Sequence, residues 1–172
     1  MAIFHCHIAV SLDARIARAD GGFDWLEGHP PDAFGFAEFY AGVDAILMGR
    51  STYDVVRTMP DWPYAGKPCV VVTRRPLDDA PPGVVARGGD MAAIAAAMEA
   101  DGHARIWVEG GGEVIRQMLA IGRLDVLEMA VLPHILGAGI PLFPPGTPET
   151  ALRLVSCAPR EGGALHVIYA RR

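Results

Sequence analysis

The sequence is poor in lysine. Lysine and arginine together number 15, and Lys67 is the only lysine among them, so the rest are arginines. Any anion site must therefore use guanidinium forks or backbone N–H groups. Basic residues are also outnumbered by acidic ones, and the formal net charge of −5 argues against general nucleic-acid binding. Long apolar runs are missing: stretches such as Val126–Leu132 are strand-sized, well short of the ~20 residues of a bilayer-spanning helix. The opening "MAIFHCHIAV" has neither a basic leader nor a small-residue cleavage site, so it does not read as a signal peptide and a cytoplasmic location is expected. Cysteine is scarce too. Cys6, Cys69 and Cys157 are far apart, and each lies in or beside an apolar stretch, so buried reduced thiols are expected rather than a disulfide, a metal ligand or a nucleophile. "HCH" at His5–His7 invites a metal reading. Alternation along a strand, however, puts His5 and His7 on one face and Cys6 on the other, so the three cannot meet at one ion, and no metal site is expected.

What the chain does have is hydrophobic mass: 51% hydrophobic against 20% charged over 172 residues. That favours one compact domain, residues 1–172, with a sizeable core. Residues 2–10 alternate and read as a first strand, and Ser11–Asp32 reads as a long loop, a length usually reserved for function. Asp32 is expected to cap a helix through about Ala41. "VDAILMG" and "CVVVT" read as buried strands, with a helix from "RSTYDVVRTM" between them, capped by Ser51 or Thr52. A shorter strand covers Val84–Ala86. Asp90 can cap an alanine-rich helix to about Ala100. "ARIWVE" is a strand, Glu113–Ile121 a helix and "RLDVLEMAVLP" another strand. "HILGAGIPLFPPG" is a loop, and "LRLVSCAPR" and "ALHVIYAR" form a final hairpin around Gly162-Gly163. Alternating strands and helices imply a largely parallel sheet with helices on both faces, and the last strands imply an antiparallel edge.

Open α/β sheets bind ligands at the carboxyl ends of their strands, and three such ends have unusual composition. "MGRSTY" offers Gly49, Arg50 and the first N–H groups of a helix. "VTRR" offers Thr73, Arg74 and Arg75, with guanidinium groups suited to a phosphate. "EGGGEV" places Gly110, Gly111 and Gly112 between strand and helix, where backbone can approach a pyrophosphate. The spacing matches neither the G-x-G-x-x-G fingerprint nor a P-loop. Each segment also has a plain reading as a turn or a solvated arginine, but the three together suit a nucleotide cofactor spread along one sheet edge. The loop Ser11–Asp32 would then lie over the reactive end, with Asp13, Asp24, Trp25 and Asp32 as candidates for a polar heterocycle.

"SLDARIA", "LMGRSTYD", "VVVTRR", "VEGGGEVI" and "LPHILGAGIPLF" occur in the order seen in the dihydrofolate reductase-like superfamily. They most resemble the reductase domain of the riboflavin-biosynthesis deaminase-reductase and its stand-alone relatives, over almost the whole chain. The resemblance implies a three-layer α/β/α fold around a mixed sheet, and NADPH as cofactor. It implies that Ala9 meets the nicotinamide carboxamide, that Ile16 lies under the ring, and that Gly49, Arg50, Ser51 and Thr52 meet the phosphates. Thr73 and Arg74 would mark the 2′-phosphate, with Arg75 beside them, and Gly110 to Val114, including Glu113, would lie under the pyrophosphate. The family commonly has glycine after "SLD", where this chain has Ala14, a residue that tolerates positive φ poorly. No His-x-Glu with a downstream Pro-Cys-x-x-Cys is present, so zinc deamination is not implied.

The expected activity is hydride transfer from NADPH to a small polar substrate, pterin- or aminopyrimidine-like. Asp32 is the first choice for the substrate-facing carboxylate, Asp24 and Glu38 are alternatives, and Asp13, Trp25 and Tyr53 are candidate substrate contacts. A nucleotide-binding or regulatory protein without turnover is the rival reading. A homodimer paired through "LDVLEMAVLP" and "ALHVIYAR" as edge strands is a third, and neither nucleic acid nor membrane is an expected partner.

Overall fold

A computed structural model describes residues 1–172. Eight strands build the main sheet: β1 (Ile3–Ser11), β3 (Ala45–Gly49), β4 (Cys69–Val72), β5 (Val84–Arg87), β6 (Arg105–Gly110), β7 (Val126–Leu132), β9 (Leu152–Pro159) and β10 (Leu165–Arg171). Across the sheet they lie in the order β5-β4-β3-β6-β1-β7-β10-β9. The first six in spatial order run parallel. β10 runs antiparallel to both β7 and β9, giving the mixed sheet with an antiparallel edge that the sequence implied. A separate pair, β2 (Arg15–Ala17) and β8 (Ile140–Pro141), is antiparallel.

Alternation along the buried strands sorts their side chains into two cores. Phe4, Cys6, Leu47 and Val108 face α3 (Met91–Ala100) and α4 (Gly112–Ala120), which contribute Met98, Ile115 and Met118. Ile46, Met48, Val71 and Trp107 face the other way, against α1 (Phe36–Ala41) and α2 (Arg50–Val56), which contribute Phe39, Tyr53 and Val56. The result is a three-layer α/β/α fold. No helix is long and apolar enough to cross a membrane.

Several local expectations need correction. Asp32 does not cap a helix. It sits in a 3-10 turn, Pro31–Phe34, which ends on left-handed Gly35 (φ 73°), and α1 starts only at Phe36. Neither Ser51 nor Thr52 caps α2, because extended Gly49 occupies the N-cap and both residues are already helical. Asp90 does cap α3, accepting from the Ala93 N–H. The stretch Ser11–Asp32 contains β2 and a 3-10 turn, Asp24–Leu26, and the Gly/Pro loop after β7 contains β8. Cys6 and Cys69 are buried, but Cys157 is exposed on the edge strand β9.

Candidate active site

The parallel strands bring their carboxyl ends to one rim. Gly49 is paired with Val72 across β3 and β4, and Met48 with Gly110 across β3 and β6. At ~4.8 Å per strand, the ends of β4, β3, β6 and β1 form a shelf roughly 14 Å long. The three segments singled out in the sequence therefore share one edge.

Each of the three consecutive glycines meets a different steric demand. Gly110 has φ 116°, a conformation L side chains rarely adopt. A Cβ on Gly111 would face Ile16 Cδ1 at 3.5 Å and Thr52 Oγ1 at 3.6 Å, so this backbone is open toward the shelf and flanked by two expected cofactor residues. Gly112 faces away: a Cβ there would lie 2.4 Å from the Pro141 carbonyl, so this glycine is needed for packing rather than for a ligand. Val114 is buried with its methyl against Gly49, so it positions the turn. The Glu113 carboxylate is taken by Arg116 and Gln117, which leaves only its backbone for a ligand.

At the β4 end, Thr73, Arg74, Arg75, Pro76, Gly88 and Gly89 line an open hollow of about 570 Å³. The Thr73 hydroxyl accepts from the Arg75 N–H and so shapes the arginine turn. Arg74 and Arg75 are both exposed, and neither guanidinium has a protein partner. Arg50, by contrast, is bound to Asp54 and to the Pro76 carbonyl, tying α2 to this turn. Ser51 is exposed at the start of α2.

Beside the shelf, toward β7, lies a cavity of about 860 Å³. Ala9 and Ile8 of β1 form its floor, Ala130 and Leu132 of β7 one wall, and Phe23 to Phe36 its roof, contributing Asp24, Glu27, His29 and Phe34. No arginine or lysine lines it. The sequence candidates for this region divide sharply. Asp24 reaches the cavity, but Arg18 grips it through two hydrogen bonds of 2.7 and 3.0 Å. That bond holds its carboxyl below the usual range, so it stays ionised and is a poor proton donor. Asp32 and Glu38 are exposed and outside the lining. Tyr53 is fully buried beneath α2 and cannot touch a substrate in the cavity. Asp13 is occupied with local structure: it accepts from the Ser11 hydroxyl and from the Leu136 and Gly137 N–H groups. Those bonds hold its carboxyl down at about 2. Trp25 is buried behind the wall, packed with Phe34, Ala130 and Leu132.

Three groups were missed from sequence. His7 and Glu27 line the cavity, and the alternation of β1 places His7 on the same face as Ala9. The third, Glu109, immediately precedes the glycine turn. Its Oε1 accepts from the Tyr64 hydroxyl at 2.5 Å while Oε2 is buried without a partner, and burial pushes its carboxyl up to about 7.

The chain is similar to known proteins. Bacillus subtilis YwjB, an uncharacterised protein, is 36% identical over 167 residues, covering 96% of this chain and 95% of its own. A Shewanella sp. PV-4 protein whose name ties it to riboflavin biosynthesis superposes with a TM-score of 0.87 at 30% identity, covering 100% of this chain and 99% of its own. A dihydrofolate reductase from Enterococcus faecalis, complexed with NADP(H), gives a TM-score of 0.72 at 20% identity over 99% of this chain and 96% of its own, a likeness of fold. The Thermotoga maritima deaminase and 5-amino-6-(5-phosphoribosylamino)uracil reductase gives 0.74 at 16% identity, over 99% of this chain but 57% of its own, again a likeness of fold. The RibD C-terminal domain family matches residues 3–165, and the chain belongs to that family.

Proposed function

We propose that the chain is an NADPH-dependent reductase of a small, planar heterocycle, pterin- or aminopyrimidine-like, that carries no phosphate. The observation behind this reading is the juxtaposition on one rim: an open glycine backbone, two unpaired guanidinium groups at one end and an apolar cavity at the other. The residues fit the cofactor. Gly111, Ile16 and Thr52 would hold its middle, Arg74 and Arg75 its 2′-phosphate, and Ala9 its carboxamide. When bound, NADPH supplies hydride. The chain supplies alignment along the shelf and a roofed, mainly apolar cavity for the reacting groups. A phosphoribosyl substrate, as in the name of the Thermotoga enzyme, would call for permanent cations, and no arginine or lysine lines the cavity.

The test is titration of NADPH and NADH by quenching of nicotinamide fluorescence. Loss of a charge-assisted pair costs ~1.5–3 kcal/mol, so Arg74→Ala should weaken NADPH by roughly 10- to 150-fold and leave NADH nearly unchanged. Equal losses for both coenzymes would remove the 2′-phosphate assignment. Binding without oxidation of NADPH by any heterocycle would favour the nucleotide-binding reading instead, a reading that the poor proton-donating capacity of Asp24 and the remoteness of Asp32 also support. We further propose a homodimer. The strands expected as free edges, β7 and β10, both lie inside the sheet, each paired on two sides. The outer strand beyond them is β9, whose Leu154 and Val155 are about half exposed, and a second copy would cover them. Light scattering decides the stoichiometry.

A further inference from the structure

At the cavity wall, four ionisable side chains cluster, three of them joined by hydrogen bonds. Glu128 of β7 is the centre of the cluster and is buried. His5 Nε2 lies 2.7 Å from Oε2, and His166 Nε2 lies 2.6 Å from Oε1. His7, paired with Glu128 in the sheet register, holds its Nε2 3.6 Å from the same Oε1. Burial alone would push the Glu128 carboxyl up. The hydrogen bonds from His5 and His166 and the nearness of His7 outweigh it, and the group stays ionised below its usual range.

The spacing of His7, Glu128 and His166 is that of a cation site, with the three ligand atoms within 4.8 Å of one another. Proton positions count against it. Arg160 can only donate, and its Nη2 lies 3.0 Å from His166 Nδ1. That nitrogen is therefore an acceptor, the His166 proton sits on Nε2, and Glu128 receives it. A histidine ligating through Nε2 needs the opposite tautomer, with Nδ1–H facing an acceptor. The same logic applies to His7. Its Nε2 lies 3.1 Å from the Phe34 carbonyl oxygen, which can only accept, so that nitrogen carries the proton. Nδ1 is left without a protein partner, in a side chain that lines the cavity.

Resting on the reductase reading, we infer that His7 is the catalytic acid of the cavity, delivering its Nδ1 proton to the substrate, with Glu128, His5 and His166 as positioning residues. His7 lies two residues before Ala9 on the same strand face, roughly 6.6 Å along it, about the width of one heterocyclic ring. When the carbon of a bound C=O or C=N accepts hydride, its π pair moves onto the oxygen or nitrogen. That atom takes the Nδ1 proton of the His7 imidazolium, and neutral His7 regains a proton from water. The carboxylate 3.6 Å from Nε2 stabilises the imidazolium in between. Burial lowers the His7 pKa, which makes that imidazolium a readier donor. The charged groups facing His7 are Glu128, His5 and His166, with Arg160 behind His166. α1 and the 31–34 turn present only Phe36, Phe39 and the Phe34 carbonyl to it. Asp24, Glu27 and His29 share the cavity.

Two measurements test this. Long-range 15N–1H spectra of the histidine rings, recorded against pH, should show neutral His7 as the Nε2–H tautomer with a pKa below that of free imidazole, falling further in Glu128→Gln. An Nδ1–H tautomer, or a pKa unmoved by Glu128→Gln, overturns the inference whatever the enzyme turns over. The second measurement is NADPH oxidation with isatin or 7,8-dihydropterin. Here kcat should fall as pH rises through the His7 pKa. His7→Gln should lose at least about 100-fold in kcat and the pH limb, with KM little changed, and Glu128→Gln should move the limb to lower pH. A His7→Gln enzyme that keeps its kcat and its limb overturns the assignment. Absence of oxidation with both compounds in every form counts against the reductase reading, and the ring spectra still decide the tautomer and the Glu128 coupling on which the inference stands.

Discussion

Replacing Glu109 by glutamine changes one proton-binding group and little else, and the structure fixes the direction of the effect. The folded carboxyl titrates at about 7 against an ordinary 4.5, because burial disfavours its charged form more than the Tyr64 hydroxyl favours it. Between these two values the folded chain binds more protons at this site than the unfolded chain does. The site's contribution is therefore intact below about 4.5 and is lost as pH rises through about 7. A factor of ten in proton affinity is worth about 1.4 kcal/mol, so the loss comes to roughly 3 kcal/mol. The amide that replaces the carboxyl does not titrate. Urea unfolding at pH 4.5 and pH 8 on both proteins should therefore give a gap between wild type and Glu109→Gln that moves by roughly 3 kcal/mol in favour of the variant at the higher pH. Every other titrating group is common to both proteins and drops out of the comparison. The absolute gap also includes the cost of burying an amide N–H₂ where Oε2 has no partner now, so the change with pH is the decisive quantity. Parallel stability curves would refute the argument, because they would mean that the carboxyl is hydrated.

Two further substitutions probe the backbone. Ala14 holds φ 56°, a left-handed conformation that costs an alanine about 1–2 kcal/mol. Ala14→Gly should therefore raise stability by up to about 1 kcal/mol after the extra entropy of the unfolded glycine is deducted, read as a higher urea midpoint at unchanged m. Gly112→Ala should destabilise by more than ~2 kcal/mol or abolish soluble expression, since its Cβ would meet backbone oxygens at 2.4 and 3.0 Å; a midpoint within error of wild type would contradict the packing described for β8.

The layer architecture was readable because alternation and caps are local: Asp90 with α3, the buried runs 45–49 and 69–72, and the closing strands each carry their own signal. The shared rim of the three segments was readable because parallel strands must deliver their carboxyl ends to one side. The cavity was not. Asp32, Tyr53 and Asp13 have the chemistry of substrate contacts, but which way a side chain faces depended on a left-handed Gly35, on the burial of α2 and on a hydrogen-bonded turn, none of which has a spacing signature. His7 was legible by parity alone. Its partners were not, because they lie 121 and 159 positions further along the chain, at Glu128 and His166. Ala14 shows the opposite limit: the chain follows the turn that glycine usually makes, held by the Ser11 and Asp13 hydrogen bonds, in spite of the residue.

The bend between β9 and β10 reaches back across the molecule. Arg160 holds the Ala33 carbonyl, Gly162 abuts the His29 ring, and Ala164 is buried beneath Trp25 and Phe34. A polypeptide leaving the ribosome from its amino end could assemble most of the central sheet while the ceiling over the apolar hollow still lacked its support. That hollow closes only when the final hairpin docks, so shortening the chain at its carboxyl end should leave much of the scaffold standing and cost the protein its chamber first.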